Sequence, residues 1–364
     1  RAAMGKSLYL VNSVYHLLTS IHLRRTVFPS GKADLVLTDV TPALAETTAR
    51  LEETNLFERV IPAVTKELSH QFSMNREEDV KRCFDQRETL LNWVLGKPLE
   101  QGYDQVFFPN FDWLARLLAC RYDCLFYWIE DGFSSYVIDF LRPDRAVVNR
   151  HPQGVKLGEK TQAALLYEPR LAMRGDHLPN RPLPKLSRQD GDLRQLLNFV
   201  FDYHQPQGLP SFLFLEQSFR AEGIQGNDLD LMAQCQQAVG PENFGVKPHP
   251  RNGENLALDL GLTRKIDLSV PWELFLLNAQ GNIPTVVTVC SNGALSGRLC
   301  LGLCSNTVML YKLYNGKVLW KEDSILWRYL ETFRRQFAGK NYYVPETPYE
   351  LRNILRYLGG QYGD

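Results

Sequence analysis

Two prolines bracket a histidine in Val246-Lys247-Pro248-His249-Pro250-Arg251. Each proline fixes its own φ and pushes the preceding residue out of the helical region, so the His249 imidazole sits on a stiff, extended turn. The lead-in Asn243-Phe244-Gly245-Val246 reads as a short buried strand. The turn then lies at a carboxyl end, the edge where open α/β sheets bind ligands. Lys247 and Arg251 flank the ring and, with Pro248 stiffening the approach, suit a phosphate. The same residues also read as a rigid surface loop with two solvated cations. A second His-Pro pair, His151-Pro152, reads as ordinary loop.

Three other strand ends carry polar groups. Leu125–Ile129 runs into Glu130-Asp131-Gly132. Strand alternation sends two adjacent side chains to opposite sides, so one carboxylate faces the ligand edge and the other holds the loop. The exposed one could deprotonate a hydroxyl; a strand-to-helix cap by Asp131 is the structural alternative. Phe212–Leu215 runs into Glu216-Gln217-Ser218, which makes Glu216 a competing base or a plain polar strand end. The strand Thr285–Val289 leads to Ser291-Asn292-Gly293-Ala294 at a helix start, where free N–H groups and partial positive charge attract anions. Ser291 and Asn292 add donors and Gly293 leaves room; simple N-capping is the alternative. Trp272-Glu273 opens the preceding helix and could meet ribose or base, though a first-turn glutamate is favoured by the helix dipole alone. Tyr15 and His16 read as packing residues of the first helix. His16 and His22 lack helical ligand spacing and no Asp-x-Asp run occurs, so no metal site is expected.

These residues need parallel strands to position them, and the chain supplies the pattern. Expected strands are 7–12, 33–38, 59–64, 105–108, 125–129, 212–215, 244–246, 265–269 and 285–289. Helices are expected at 14–27, with Asn12-Ser13 as cap, and at 42–54, 76–96, from 110 through 118, 190–203, 227–239, 271–278, 324–337 and 347–358. Strands alternating with helices mean parallel sheets covered on both faces. At 364 residues, two domains are expected. The boundaries fall at 5–185, a proline-rich linker at 186–210, a second domain at 211–340, and a C-terminal helix in 341–364 with the option of returning to the first domain. A cleft between two such domains suits a nucleotide-linked substrate.

Composition narrows the class. The 41 basic and 41 acidic residues cancel, which argues against nucleic acid as a partner. The seven cysteines show no zinc spacing and sit in apolar surroundings, as reduced thiols of a cytoplasmic protein do. No stretch has the length of a membrane span, and no signal peptide precedes the first strand. Residues 1–4 read as an addition ahead of the true start. The basic pairs near Arg334-Arg335 and Arg356-Tyr357 read as solvated helix faces.

In order and spacing the motifs resemble those of bacterial sialyltransferases. Glu130-Asp131-Gly132 resembles their acidic-acidic-glycine motif, Lys247-Pro248-His249-Pro250-Arg251 their His-Pro motif, and Ser291-Asn292-Gly293-Ala294-Leu295 their serine-containing nucleotide motif. Leu10-Val11-Asn12-Ser13-Val14-Tyr15-His16-Leu17-Leu18 is similar to the opening strand-helix of the lipooligosaccharide sialyltransferases, glycosyltransferase family 52, and of polysialyltransferases. The resemblance implies a GT-B fold, two Rossmann-like parallel-sheet domains facing a central cleft. It implies inverting, metal-independent transfer from CMP-sialic acid (CMP-Neu5Ac) to a glycan acceptor, a galactoside of a bacterial surface glycan such as lipooligosaccharide or capsule. No cofactor is implied beyond the CMP-sugar donor.

Carried over, His249 meets the leaving phosphate as acid or charge stabiliser, Ser291 and Asn292 bind it, and Lys247, Pro248, Arg251, Glu273 and Gly293 line the nucleotide. Glu130, Asp131 and Glu216 all remain eligible as the base. Ser291-Asn292 departs from the family's doubled serine or serine-threonine, which leaves the donor sugar open. Other donors (CMP-Kdo or another CMP-nonulosonate), a non-catalytic nucleotide-sugar binder and a nucleotide-sugar epimerase are the competing readings. The basic aromatic patches near Arg334-Arg335 and Arg356-Tyr357 offer peripheral contact with the inner membrane as the alternative to solvated helix faces, and a homodimer is a further option.

Overall fold

The computed structural model describes residues 5–29, 31–318, 321 and 323–360. The four residues read as an addition at the start lie outside these. The chain forms two compact units. One runs to Pro184 and takes in Gln195–Asp202; the other holds Lys185–Arg194 and everything from Tyr203 on. The proline-rich linker stretch is thus shared, and its helix Gly191–Val200 begins in one unit and ends in the other.

The first unit is built on strands β1 (Lys6–Val11), β2 (Lys32–Thr38), β3 (Arg59–Ala63), β4 (Gln105–Phe108), β5 (Leu125–Ile129), β6 (Thr161–Leu166) and β7 (Asn180–Pro182). They form one parallel sheet in the order β3-β2-β1-β4-β5-β6-β7. This is a Rossmann-type order that reverses between β1 and β4. An aromatic row fixes the central register. Tyr9, Phe107 and Tyr127 are cross-strand partners on β1, β4 and β5. Their rings stack at 4.5 and 5.4 Å, a pairing that favours this alignment over a slipped one. β1 then hands over to the helix Val14–Thr26, capped by Ser13 Oγ, which accepts from the His16 N–H at 3.2 Å.

The second unit carries β8 (Phe212–Leu215), β9 (Phe244–Lys247), β10 (Thr285–Thr288), β11 (Thr307–Met309) and β12 (Tyr342–Tyr343). They are parallel in the order β12-β11-β10-β8-β9, which reverses between β8 and β10. The last helix, Pro348–Leu358, lies along the helix Asp228–Val239 of this same unit and buries Leu351 and Leu355.

Several expectations are corrected. Lys265–Ser269 is not a strand. The Thr263 hydroxyl accepts from the Val246 N–H at 2.9 Å, so a side chain takes up a ladder position at the free edge of β9. The expected helix at 76–96 is two helices, Glu77–Asp85 and Arg87–Leu95, broken at Gln86. The expected helix at 42–54 starts as a 3₁₀ turn, Pro42–Thr47. The strands β6, β7, β11 and β12 are additional to those the sequence pattern predicts; three of them are only two or three residues long.

Candidate active site

In the first unit the site is set by how β5 ends. Glu130 and Asp131 diverge. Glu130 is fully buried, and its carboxylate accepts from the hydroxyls of Tyr15 and Tyr136 and from the Tyr167 N–H at 3.1 Å. A carboxylate with its oxygens engaged in this way anchors the β5 end to the first helix. Asp131 reaches solvent instead. Its side chain is 37% exposed, and its Oδ1 lies 3.0 Å from Nε2 of His16, which is 2% exposed. The turn between them and the next helix needs Gly132 at φ 68°, a left-handed value that glycine adopts without strain. The Asp131 N–H donates to Ser135 Oγ at 2.7 Å and the Ser134 hydroxyl donates to the Asp131 carbonyl at 3.0 Å, which locks the backbone on both sides of the carboxylate. The capping bonds here come from serines. Asp131's carboxylate is turned to His16 and solvent.

Beside this pair, at the strand-order reversal, Asn12 after β1 meets the residues after β4. Its Nδ2 donates to Asn110 Oδ1 and Asp112 Oδ2, both at 3.3 Å, and its Oδ1 accepts from the Thr38 hydroxyl at 2.8 Å. Asp112 also caps the helix Trp113–Arg121 through the Ala115 N–H at 2.9 Å. Burial holds the Asp112 carboxyl above its ordinary pKa, opposed by the Ala115 and Asn12 hydrogen bonds and by the charge of Arg116.

In the second unit the carboxyl ends of β9, β8 and β10 bring His249, Glu216 and Ser291 to one edge. His249 has φ −84° and ψ 127°, the extended form its following proline demands. Its Nδ1 accepts from the Arg251 N–H at 3.2 Å. That bond assigns the ring proton of neutral His249 to Nε2, which has no partner among the described residues. Burial lowers the His249 pKa, and the neighbouring Arg251 lowers it further; Glu216 opposes this. Lys247 is partly buried and makes no ion pair or hydrogen bond with the described residues through its ammonium. Burial lowers its pKa, with Glu273 the opposing charge. A desolvated cation without a bonded partner is suited to an incoming anion.

Glu216 is buried and committed. Its Oε1 accepts from the His249 N–H at 3.0 Å and from Asn252 Nδ2 at 2.8 Å, while Oε2 pairs with Arg220 at 3.4 Å. It therefore fastens the His-Pro turn to β8. Gln217 does the same for the neighbouring strand end, its Oε1 accepting from the Cys290 N–H at 2.6 Å. Ser291 caps the helix Asn292–Leu301, its Oγ accepting from the Gly293 N–H at 3.3 Å. A β-carbon added at Gly293 would stand in ordinary contact with Leu215 at 3.4 Å, Ser291 at 3.6 Å and Trp272 at 3.9 Å, so the glycine lies packed at the helix start. Glu273 accepts from the Ser296 hydroxyl at 2.8 Å. Trp272 is buried and stacks on Phe275 at 5.2 Å, which makes it a packing residue here. Arg251 is exposed, 3.9 Å from Glu222.

Sequence reasoning missed Tyr15 and His16 as the partners of Glu130 and Asp131. The available signal was their place, at the start of a helix that follows a central strand. Among the described residues no group of three or more His, Cys, Asp or Glu is arranged to hold a metal ion, and no helix is long and apolar enough to cross a membrane. All seven cysteines are free thiols.

No protein-family model matches the chain, and no curated protein matches it. Among solved structures it is similar to the glycosyltransferase VinC in complex with dTDP, with 13% identity, 98% of this chain and 91% of that one covered, and a TM-score of 0.45. It is also similar to an α/β-galactoside α-2,3-sialyltransferase from the luminous marine bacterium Photobacterium phosphoreum, with 9% identity, 94% and 98% covered, and a TM-score of 0.46.

Proposed function

We propose that the protein is a glycosyltransferase of the GT-B type that moves sialic acid from CMP-Neu5Ac to a hydroxyl of a glycan acceptor, with inversion and without a required metal. The observation that carries this reading is the pair at the end of β5: a solvent-reaching Asp131 whose Oδ1 is 3.0 Å from a buried imidazole, beside a Glu130 whose carboxylate is already engaged. One carboxylate is thereby left free to take a proton, with a buried imidazole close beside it.

In this reading the first unit activates the acceptor. Asp131 accepts the proton as the hydroxyl oxygen bonds to the anomeric carbon of the sialic acid, while the bond from that carbon to the CMP phosphate oxygen breaks. His16 is a positioning residue. The second unit holds the leaving group. Neutral His249 donates its Nε2–H to the phosphate, Lys247 and Arg251 supply positive charge, and the start of the helix Asn292–Leu301 adds N–H groups. The transition state is oxocarbenium-like, so stabilising a departing phosphate monoester is the larger task, and these cations and dipoles face it. Glu216 is a positioning residue for the His249 turn, since its carboxylate is occupied by that turn's own donors.

The direct test is release of CMP from CMP-Neu5Ac by the purified chain with EDTA present, with and without a galactoside. Stimulation by the galactoside supports the reading. Release only from CMP-Kdo or another CMP-nonulosonate keeps the chemistry and changes the sugar. Silence with every CMP donor, or turnover of a UDP-sugar alone, removes it.

A further inference from the structure

We propose that Arg174 is a positioning residue for the reaction, holding the one-turn helix that fixes both Asp131 and Glu130. The proposal rests on the reading of Asp131 as the base.

The helix Ser134–Val137 follows the Gly132 turn and is four residues long. One turn of helix is not stable alone, because nucleation fixes several residues for a single hydrogen bond. Yet its side chains secure the end of β5. Ser135 Oγ accepts from the Asp131 N–H at 2.7 Å, and the Tyr136 hydroxyl donates to the Glu130 carboxylate. A group that holds this turn therefore holds the chain at both carboxylates.

That hold comes from the irregular stretch between Leu171 and β7. Carbonyls at a helix end lack partners within the helix, and two consecutive residues of the stretch supply them here. The Met173 N–H donates to the Tyr136 carbonyl at 2.6 Å, and Arg174 Nη1 donates to the Ser135 carbonyl at 2.6 Å. The guanidinium is itself fixed by its neighbours. Its Nε and Nη2 meet the two oxygens of Asp176 at 2.8 and 3.4 Å, and Nη2 also donates to Asn180 Oδ1 on β7 at 2.6 Å. Its central carbon lies over the Trp128 ring of β5, 5.1 Å from the centroid. The Asp176 Oδ1 in turn accepts from the Leu178 N–H at 3.1 Å.

Both members of the ion pair are enclosed, with side chains 1% and 3% exposed. An enclosed ion pair is poor evidence of stability, since desolvating two charges offsets much of their attraction. Its geometry points to placement. A planar fork reaches a carboxylate, a backbone carbonyl, an amide oxygen and an indole face at once, which the point charge of lysine does not.

The test uses the full chain with Arg174→Lys, and with Arg174→Met combined with Asp176→Leu, which removes both charges and strands neither. Hydrogen exchange over residues 131–138 is read first, without substrate. It should speed up by about tenfold or more in the pair replacement, while exchange over β1 and β2 stays as in the wild type. Acceptor-dependent turnover is read next. The pair replacement should lower kcat by about tenfold or more with the acceptor KM within about twofold, and Arg174→Lys should recover part of the loss. The deciding comparison is with Asp131→Asn. Because Arg174 acts through Asp131, the pair replacement should cost no further rate in that background. Unchanged exchange in a folded pair replacement, or the same fold loss of rate with Asp131→Asn as without it, overturns the proposal. A wild-type chain that turns over no CMP-sugar removes the sialyl-transfer reading, and the exchange result still decides whether Arg174 holds the turn.

Discussion

His16 Nε2 lies 3.0 Å from Asp131 Oδ1, so the first helix of the chain sets a buried imidazole against a carboxylate at the end of β5, close enough to pair though out of line for a hydrogen bond. One residue earlier on each element, Tyr15 hydrogen-bonds Glu130. Two consecutive pairs thus join the same two elements, one closing off a buried carboxylate and the other presenting an exposed one. The division of labour between Glu130 and Asp131 has direct consequences for substitution.

Asp131→Asn is expected to lower kcat by about 10²–10⁴-fold, the usual span for a general base, with little change in thermal stability. Glu130→Gln should do the opposite. It leaves the tyrosine hydroxyls and the Tyr167 N–H imperfectly matched in a buried place, at a cost of about 1–3 kcal/mol. Melting temperatures and single-turnover rates of the two variants separate the roles. A larger loss of rate in a folded Glu130→Gln would reverse them.

Glu216 is separated from the role of base by the contrast between glutamine and alanine. Glu216→Gln keeps an oxygen for the His249 N–H and Asn252, so it should retain most of the activity and show a moderate rise in the KM for donor. Glu216→Ala leaves those donors unmatched and should lose both stability and donor binding. Abolished turnover in a folded Glu216→Gln with normal CMP affinity would make Glu216 the base instead.

The lowered pKa of His249 fixes the sign of a pH effect. Its folded value lies below the unfolded one of about 6.5. Its contribution to stability is therefore present above about pH 6.5 and is lost as pH falls toward the folded value. Phosphate bound at Nε2 favours the protonated ring, so CMP binding should take up a proton on the acid side of pH 6.5. Calorimetry in buffers of different ionisation enthalpy reads that uptake. It should vanish in His249→Asn, and its persistence there would assign the proton elsewhere.

Ser291 can be tested as cap and as anion site at once. Ser291→Asp should cap the helix Asn292–Leu301 as well as serine does, keeping the melting temperature, yet repel CMP by more than about tenfold. Ser291→Ala should lose about 0.5–2 kcal/mol of stability with a smaller change in affinity. Unchanged CMP binding in Ser291→Asp would leave Ser291 as a cap alone.

Much of this layout was legible in the sequence because parallel strands bury both faces and show as apolar runs. Tyr9, Phe107 and Tyr127 belong to such runs, and the residues that follow them fall at carboxyl ends by necessity. The divergence of Glu130 from Asp131 is what strand alternation predicts if the extended backbone runs on past Ile129, and the Gly132 turn completes it. What could not be read was which side chain met which across long separation. His16 looks like any polar residue on a helix until β5 is set nearby, and Glu216 looks like a free carboxylate until the His-Pro turn folds onto it. Short edge strands such as Tyr342–Tyr343 leave too few residues for a periodic signal. Lys265–Ser269 carried a strand-like pattern, but the Thr263 hydroxyl already takes the Val246 N–H.

The most direct test of the central claim is acceptor-dependent CMP release from CMP-Neu5Ac with EDTA present, measured for the wild-type chain and for Asp131→Asn. The account predicts that a galactoside stimulates release by the wild type, and that Asp131→Asn loses the stimulation while still binding CMP. Stimulation that survives in Asp131→Asn, or no release from any CMP-sugar by the folded wild type, would contradict it.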